Sequence, residues 1–225
     1  MSAEDHTDTD SRKLLRDKVA DQLRAAILDG TLLPGRRITE VELIELTKSS
    51  RTSVREALRV LEAQRLVEPS VRGVQISLPS MSEARHIYEV RAVVESYTAR
   101  LFCERALDDD MRDLRRAFEA IGRDSRSPVM TAFDEIFFTR CGNSAIKSVI
   151  EPLYARIFVL RNLASTSPAR RAASKAEYYA LLEALEDRNA DRAAAAVVKH
   201  VEAARDFALN ALMDHQDWRV EIKRR

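Results

Sequence analysis

Residues 50–59 read Ser-Arg-Thr-Ser-Val-Arg-Glu-Ala-Leu-Arg. If this stretch is helical, Arg51, Arg55 and Arg59 stand four residues apart on one face, with the hydroxyls of Thr52 and Ser53 beside them. A guanidinium can fork onto the two acceptors that guanine shows in the major groove, and hydroxyls can take phosphate oxygens or base edges. That is the chemistry of reading duplex DNA. The competing reading is a solvated basic face on an ordinary globular protein, which is what most charge runs are.

The surrounding residues supply the elements that would position such a face. Ser50 is a good N-cap, because its hydroxyl can accept from an amide in the first turn. Val54, Leu58 and Leu61 follow at i, i+4 and i+7, opposite the arginines. Residues 40–46 read as a shorter helix, with Val41, Leu43, Ile44 and Leu46 towards a core and Thr47, Lys48 and Ser49 as the turn. The pair is a helix-turn-helix whose second helix does the reading. Upstream, residues 12–28 form an amphipathic helix through Leu15, Val19, Leu23 and Ile27, ended by Gly30. Downstream, residues 66–69 and 74–78 read as short strands. Arg72 and Gly73 at the hairpin tip would make a wing, where an arginine can reach phosphate or the minor groove and glycine allows close backbone approach.

Composition agrees with a DNA reader only through its distribution. The 225 residues hold 37 Lys and Arg against 36 Asp and Glu, a net +1, which excludes a generic polycation. Residues 11–79 hold 13 basic against 9 acidic side chains, so the excess sits with the candidate reading helix. Hydrophobic residues at 45% and charged ones at 32% indicate a globular chain; 5 Gly and 6 Pro favour helix. No apolar run approaches the roughly 18 residues of a membrane span. The acidic, polar start fits neither a signal peptide nor a basic presequence. Cys103 and Cys141 fit no zinc spacing and no disulfide framework, so a cytoplasmic setting without membrane contact is expected.

Beyond residue 79 the chain reads as helix. The expected organisation is a disordered tail at 1–11, a winged helix-turn-helix at 12–78 and a linker at 79–81. An all-helical domain at 82–217 and a basic tail at 218–225 follow. Within the helical domain Ser82 and Asp108 are candidate caps of the first two helices. Ser127-Pro128 would open a third, residues 144–163 carry Pro152 in a fourth, and helices at 168–187 and 191–217 close the domain. The fold class is mainly α.

This order of elements resembles the GntR superfamily of bacterial transcription regulators, in the FadR-like branch with an FCD ligand-binding domain. The residues that carry it are the stretch from Ile27 to Gly35, the stretch from Ser50 to Leu58, Tyr88-Glu89-Val90-Arg91 with Glu95, and Asp134 ahead of Gly142-Asn143. Where many relatives have glycine before the first wing strand, this chain has Arg65, and an arginine some relatives use early in the first helix of the turn motif is Val41 here. The resemblance implies operator contacts by Ser50, Arg51, Thr52, Ser53, Arg55, Arg59, Arg72 and Gly73. It also implies a homodimer on a near-palindromic double-stranded DNA operator, since one short helix reads few base pairs.

It further implies a small-molecule effector site in the helical domain. Many FCD domains hold a divalent metal with one Asp and three His. The matching positions here are Asp134, Phe138, Tyr178 and His200, so two ligands are replaced by aromatic residues. Two protein ligands rarely hold a zinc-like ion, so no metal cofactor is expected, with a metal-dependent site as the alternative. Phe138 and Tyr178 then either fill the core or line a changed pocket in which Asp134 and His200 pair or bind a polar ligand. Arg91 is implied to hold an effector carboxylate; its alternative is an i,i+4 pair with Glu95. A different class, an enzyme using Asp134, His200 and Tyr178 for proton transfer, lacks a nucleophile motif or phosphate loop and leaves the N-terminal third unexplained.

Overall fold

The computed structural model describes residues 4–28, 30–120, 131–164 and 167–224, and these divide into two compact units, Met1–Leu78 and Pro79–Arg225. The first unit contains α1 (Glu4–Leu28), β1 (Arg37–Ile38), α2 (Glu40–Thr47), α3 (Arg51–Ala63), β2 (Val67–Ser70) and β3 (Gly73–Ile76). α1 and α2 pack on α3, and the three strands form an antiparallel sheet in the order β1-β3-β2. Its core is Val19, Leu23 and Ile27 of α1, Leu43 of α2, Val54, Leu58 and Leu61 of α3, and Leu66, Val67, Val74 and Ile76 of the wing. Each such fully buried aliphatic side chain is worth about 1.5–3 kcal/mol, which is what holds short helices that would not persist alone.

Several expectations need correction. α1 extends back to Glu4, across residues assigned to a disordered tail. Leu15, expected in the core, is exposed. In α2 only Leu43 and Thr47 are buried, and Val41 and Leu46 face solvent. Eight residues make barely two turns, so a single i,i+4 pair meets the core. The hairpin turn is Val71-Arg72, because Ser70 pairs with Gly73 and Gly73 already belongs to β3. β1 was not expected at all. Two residues carry no periodicity, and their place is fixed by Arg37 pairing with Gln75 and Ile38 with Val74.

The second unit contains α4 (Met81–Arg105), α5 (Asp108–Ala120), α6 (Ala132–Thr139), α7 (Ser144–Ala164), α8 (Pro168–Glu186) and α9 (Ala190–Arg224). α4 runs through the middle, packed along α9 and against α6, α7 and α8, while α5 covers α6 and α8. α4 starts earlier than expected, inside the presumed linker, and its cap is Ser80, not Ser82, with the Ser80 hydroxyl accepting from the Glu83 amide at 3.2 Å. Asp108 is a first-turn residue rather than the cap; it is the Asp110 carboxylate that accepts the Leu107 amide at 3.0 Å. Ser127 and Pro128 lie outside the described residues, and α6 is opened by Thr131 instead. α7 continues through Pro152, and α9 continues to Arg224, through the expected basic tail.

Candidate nucleic-acid interface and buried polar cluster

In the first unit α3, the helix expected to read DNA, is held by caps at both ends. Ser50 has extended backbone, φ −67° and ψ 155°, and its Oγ accepts the Ser53 amide at 3.2 Å. Its hydroxyl also lies 2.9 Å from the Ser53 hydroxyl, so both groups serve the helix start. The turn before it works because Lys48 adopts φ 52°, and α2 is fixed by a capping box in which Thr39 Oγ1 accepts the Glu42 amide at 3.3 Å and Glu42 Oε2 accepts the Thr39 amide at 2.8 Å. At the far end the Leu66 amide donates to Leu61 O at 2.9 Å and the Arg65 amide to Glu62 O at 2.8 Å, a Schellman turn. Arg65 sits there at φ 56°, in the left-handed region that favours glycine.

Arg51, Thr52, Arg55 and Arg59 are exposed on the side of α3 away from Val54, Leu58 and Leu61. Two of the arginines are tethered. Arg55 Nε donates to Glu40 Oε1 of α2 at 2.9 Å, and Arg59 Nη1 donates to Glu56 Oε1 at 2.7 Å. The Arg55 bond uses Nε, not the two terminal nitrogens that would fork onto a guanine. The hydrogen bond raises the arginine's pKa and lowers that of Glu40, so both stay charged. Glu56 was recoverable from its i,i+3 spacing to Arg59; Glu40 lies fifteen residues from Arg55 in sequence and needed the fold. Arg72 is exposed in the wing turn. Gly73, at φ 135°, serves its own sheet: a Cβ there would lie 2.2 Å from the Ile38 carbonyl oxygen. Its close backbone approach is to β1.

In the second unit Arg91, Glu95, Asp134, Tyr178 and His200 are all buried, with Phe138 among them. They do not converge on one empty point; they pair off. Arg91 Nε and Glu95 form an ion pair along α4, Arg91 Nη2 donates to the Tyr154 hydroxyl of α7 at 3.4 Å, and that hydroxyl donates to Glu95 Oε1 at 3.1 Å. Burial works against the Arg91 charge, yet Glu95 lifts its pKa well above the ordinary value. Burial, with Asp134 and Glu95 nearby, pushes the Tyr154 phenol up, so it remains a neutral donor.

Asp134 is the N3 residue of a capping box: Oδ2 accepts the Thr131 amide and hydroxyl, each at 2.8 Å. Its other oxygen accepts the Tyr178 hydroxyl at 3.0 Å. His200 does not pair with Asp134. Its Nδ1 meets Glu177 Oε2 at 2.7 Å, and Arg170 clamps the same carboxylate at 2.8 and 2.9 Å. Burial lowers the His200 pKa against the pull of Glu177, and its imidazole lies edge-on to Tyr178 with ring centroids 4.6 Å apart. Phe138 meets Tyr154 edge-on at 5.5 Å and Phe133 meets Tyr178 at 5.0 Å, so aromatic rings fill the space between the pairs.

The donor set does not fit a divalent metal. Phe138 offers no lone pair and the Tyr178 hydroxyl is hydrogen-bonded to Asp134; Glu177 engages only Nδ1 of His200, so the four positions offer one carboxylate and one imidazole nitrogen, too few for a zinc-like ion. Among the described residues no three His, Cys, Asp or Glu side chains are grouped to hold an ion. Sequence reasoning missed Tyr154, Glu177, Arg170 and Thr131. The Thr131-x-x-Asp134 capping box was legible, and Arg170 and Glu177 stand two turns apart on α8; the places of Tyr154 and of Glu177 against His200 depend on packing between helices.

Residues 86–203 match the FCD domain family, and residues 15–73 match the family described as bacterial regulatory proteins, gntR family. The chain is 28% identical over 186 residues to the Nta operon transcriptional regulator of Aminobacter aminovorans, covering 80% of this chain and 87% of that one. It is 26% identical over 189 residues to the HTH-type transcriptional regulator YdhC of Bacillus subtilis, covering 80% and 84%. In fold it resembles the crystal structure of a Rhodococcus sp. RHA1 protein, with a TM-score of 0.74 at 24% identity over 87% of this chain and 97% of that one.

Proposed function

This chain belongs to the GntR family of bacterial transcriptional regulators, with an FCD domain as its helical unit, and on that premise we propose that it binds a near-palindromic operator as a homodimer and releases or tightens that grip when a small metabolite occupies the helical domain. It is a regulator, not an enzyme. In this reading residues 12–78 read DNA and residues 82–217 bind the effector and dimerise, in the cytoplasm. No helix among the described residues is long and apolar enough to cross a membrane.

The observation that carries the reading is the exposed row of Arg51, Thr52 and Arg55 at the capped start of α3. Arg51 and Arg55 would take guanines, Thr52 and Ser53 phosphate or base edges, Arg59 the backbone, and Arg72 phosphate beside the wing. Glu40 keeps Arg55 extended until a guanine replaces it. Selection from a random duplex library, followed by binding measured from 50 to 200 mM salt, tests this. A sequence preference with steep salt dependence is expected. Equal affinity for selected and random duplexes would overturn it.

For the effector we infer a carboxylate-bearing metabolite with an apolar or aromatic body. Arg91 keeps its charge, and of its five N–H donors the hydrogen bonds to Glu95 and Tyr154 engage two. Phe138, Tyr154 and Tyr178 supply ring faces, while Asp134 and His200 supply polar edges. The two acceptors of the ligand would share the guanidinium with Glu95. Titrating carboxylates and their amide analogues into the operator complex checks the class; a response to the amides alone would exclude it.

A further inference from the structure

Glu40 puts a negative charge beside a surface that is proposed to meet a polyanion. Its Oε1 accepts from Arg55 Nε at 2.9 Å. That hydrogen bond leads in holding its carboxyl below the usual range, and the charges of Arg55 and Arg51 add to it. The carboxylate therefore stands within electrostatic reach of both arginines assigned to guanine. Its side chain is 30% exposed, against 59% for Arg55. The neighbouring Glu42 differs: it accepts the Thr39 amide and Arg36, so its charge stays compensated without Arg55.

When a guanine takes Arg55, Glu40 loses its partner as docking covers it. A carboxylate covered without a donor is costly, and phosphates nearby make it more so. Among the base edges of the major groove only two groups donate, the N4 amine of cytosine and the N6 amine of adenine. Adenine sets its N7 acceptor beside that amine, where it would face the second carboxylate oxygen. Cytosine sets no acceptor there, so a carboxylate fits cytosine better. The spacing agrees with a second base. Oε1 lies 2.9 Å from the guanidinium nitrogen, close to the step of about 3.4 Å between stacked bases, so the two side chains match two successive base pairs.

We propose that Glu40 is a specificity-determining residue that accepts from the N4 amine of a cytosine, in the base pair next to the guanine read by Arg55. The inference rests on the operator reading of α3 and extends the reading surface to the first turn of α2.

Selection from a random duplex library tests it, carried out in parallel with the full chain as wild type, Arg55→Ala, Glu40→Gln and Glu40→Ala. The position whose guanine preference disappears in Arg55→Ala marks the base of that arginine. At the adjoining pair the wild type is expected to favour cytosine about tenfold in competition binding. Glu40→Gln should exchange that preference for adenine, because a carboxamide can accept from N6 and donate to N7. Glu40→Ala should level the four bases there to within about twofold and keep the guanine preference. A residue that only braces Arg55 would not change which base is preferred beside it. The pair is exposed, so the thermal midpoint of the first unit serves as the folding control. An adjoining preference that is the same in wild type and both Glu40 variants would overturn the role of Glu40 and leave the operator reading standing. Loss of the guanine preference in Glu40→Ala, with no change beside it, would reduce Glu40 to a brace for Arg55. A wild type that selects no sequence would overturn the operator reading beneath it.

Discussion

The two units use the same pair of residues in opposite ways. In the reading unit Arg55 and Glu40 meet at 2.9 Å in solvent; in the helical unit Arg91 and Glu95 meet with both side chains almost fully enclosed. Water competes with the first pair and screens it, so breaking it costs little, as the proposed transfer of the arginine to a DNA acceptor requires. No water competes with the second. Its charges are already desolvated, and each is stable only because the other is there. The difference teaches which arginine can exchange its carboxylate at little cost and which must keep it, so that a ligand proposed at Arg91 has to be added beside Glu95 and cannot replace it, a distinction that residue type alone does not carry.

The strongest way to break the comparison is to remove one member of each pair. Glu95→Ala would strand the Arg91 guanidinium in the core, and the expected loss is about 3–5 kcal/mol of stability in the helical unit. Replacing both, as Arg91→Met with Glu95→Leu, should recover most of it because the volume stays filled. Glu40→Ala should leave stability unchanged and alter only DNA binding. Urea unfolding of the three variants decides. If Glu95→Ala melted like Glu40→Ala, the buried pair would not be structural.

The next effect belongs to the exposed arginines. Arg51→Ala and Arg55→Ala should each weaken operator binding about ten- to a hundredfold and bring it closer to binding of random duplex, with thermal stability unchanged. Arg72→Ala should weaken both duplexes equally, since a phosphate contact carries no sequence information. Competition binding at fixed salt separates the two behaviours. Equal loss on both duplexes for Arg51→Ala would move it from base reading to backbone contact.

The reading unit was largely legible from sequence because its signals are local. Ser50 caps the helix it precedes, Val54, Leu58 and Leu61 follow one period, and the exposed arginines are what remains on the other face. What failed there was also physical: Val41 and Leu46 match a helical pattern, but α2 is too short to bury more than Leu43 and Thr47. In the helical unit the positions were legible and the connections were not. Arg91 with Glu95 could be written down from i,i+4 spacing. The pairing of Tyr178 with Asp134, 44 residues apart, and of His200 with Glu177 depends on how α6, α8 and α9 are set against one another. Periodicity does not encode that.

Arg188 sharpens the comparison from the side of the backbone. It follows α8 at φ 53°, a conformation that costs an L-residue roughly 1–2 kcal/mol relative to glycine. Its side chain offsets that cost by donating to the carbonyls of Cys103 and Ala106, at 3.3 and 2.5 Å, and to Asp108 at 3.1 Å. Arg188→Ala keeps the backbone cost and loses those bonds, an expected loss of about 1–3 kcal/mol. Arg188→Gly loses the same bonds and relieves the backbone, so it should be about 1 kcal/mol more stable than the alanine variant. Equal midpoints for the two would remove the backbone cost from the account.

The smallest expected effect is a pH dependence confined to the helical unit. The groups facing His200 are Glu177 of α8, with Arg170 behind it, Arg91 and Glu95 of α4, and the Tyr178 ring. Burial leads, and it lowers the imidazole's pKa beneath the ordinary 6.5 although Glu177 pulls upward. Below 6.5 the unfolded chain therefore binds a proton that the folded chain resists, so stability falls as pH falls, until the lowered folded value is reached. Glu177, itself held below its ordinary value of 4.5 by His200 and Arg170 against the cost of burial, adds a second loss only at more acid pH. Unfolding free energy measured between pH 7.5 and 5 should slope downward in the wild type, by no more than about 1.4 kcal/mol per pH unit for a single group. His200→Gln keeps a donor for Glu177 but cannot titrate, and its curve should be flatter over that window. A wild-type slope that persists unchanged in His200→Gln would assign the acid sensitivity to other groups and leave the His200–Glu177–Arg170 chain as packing alone.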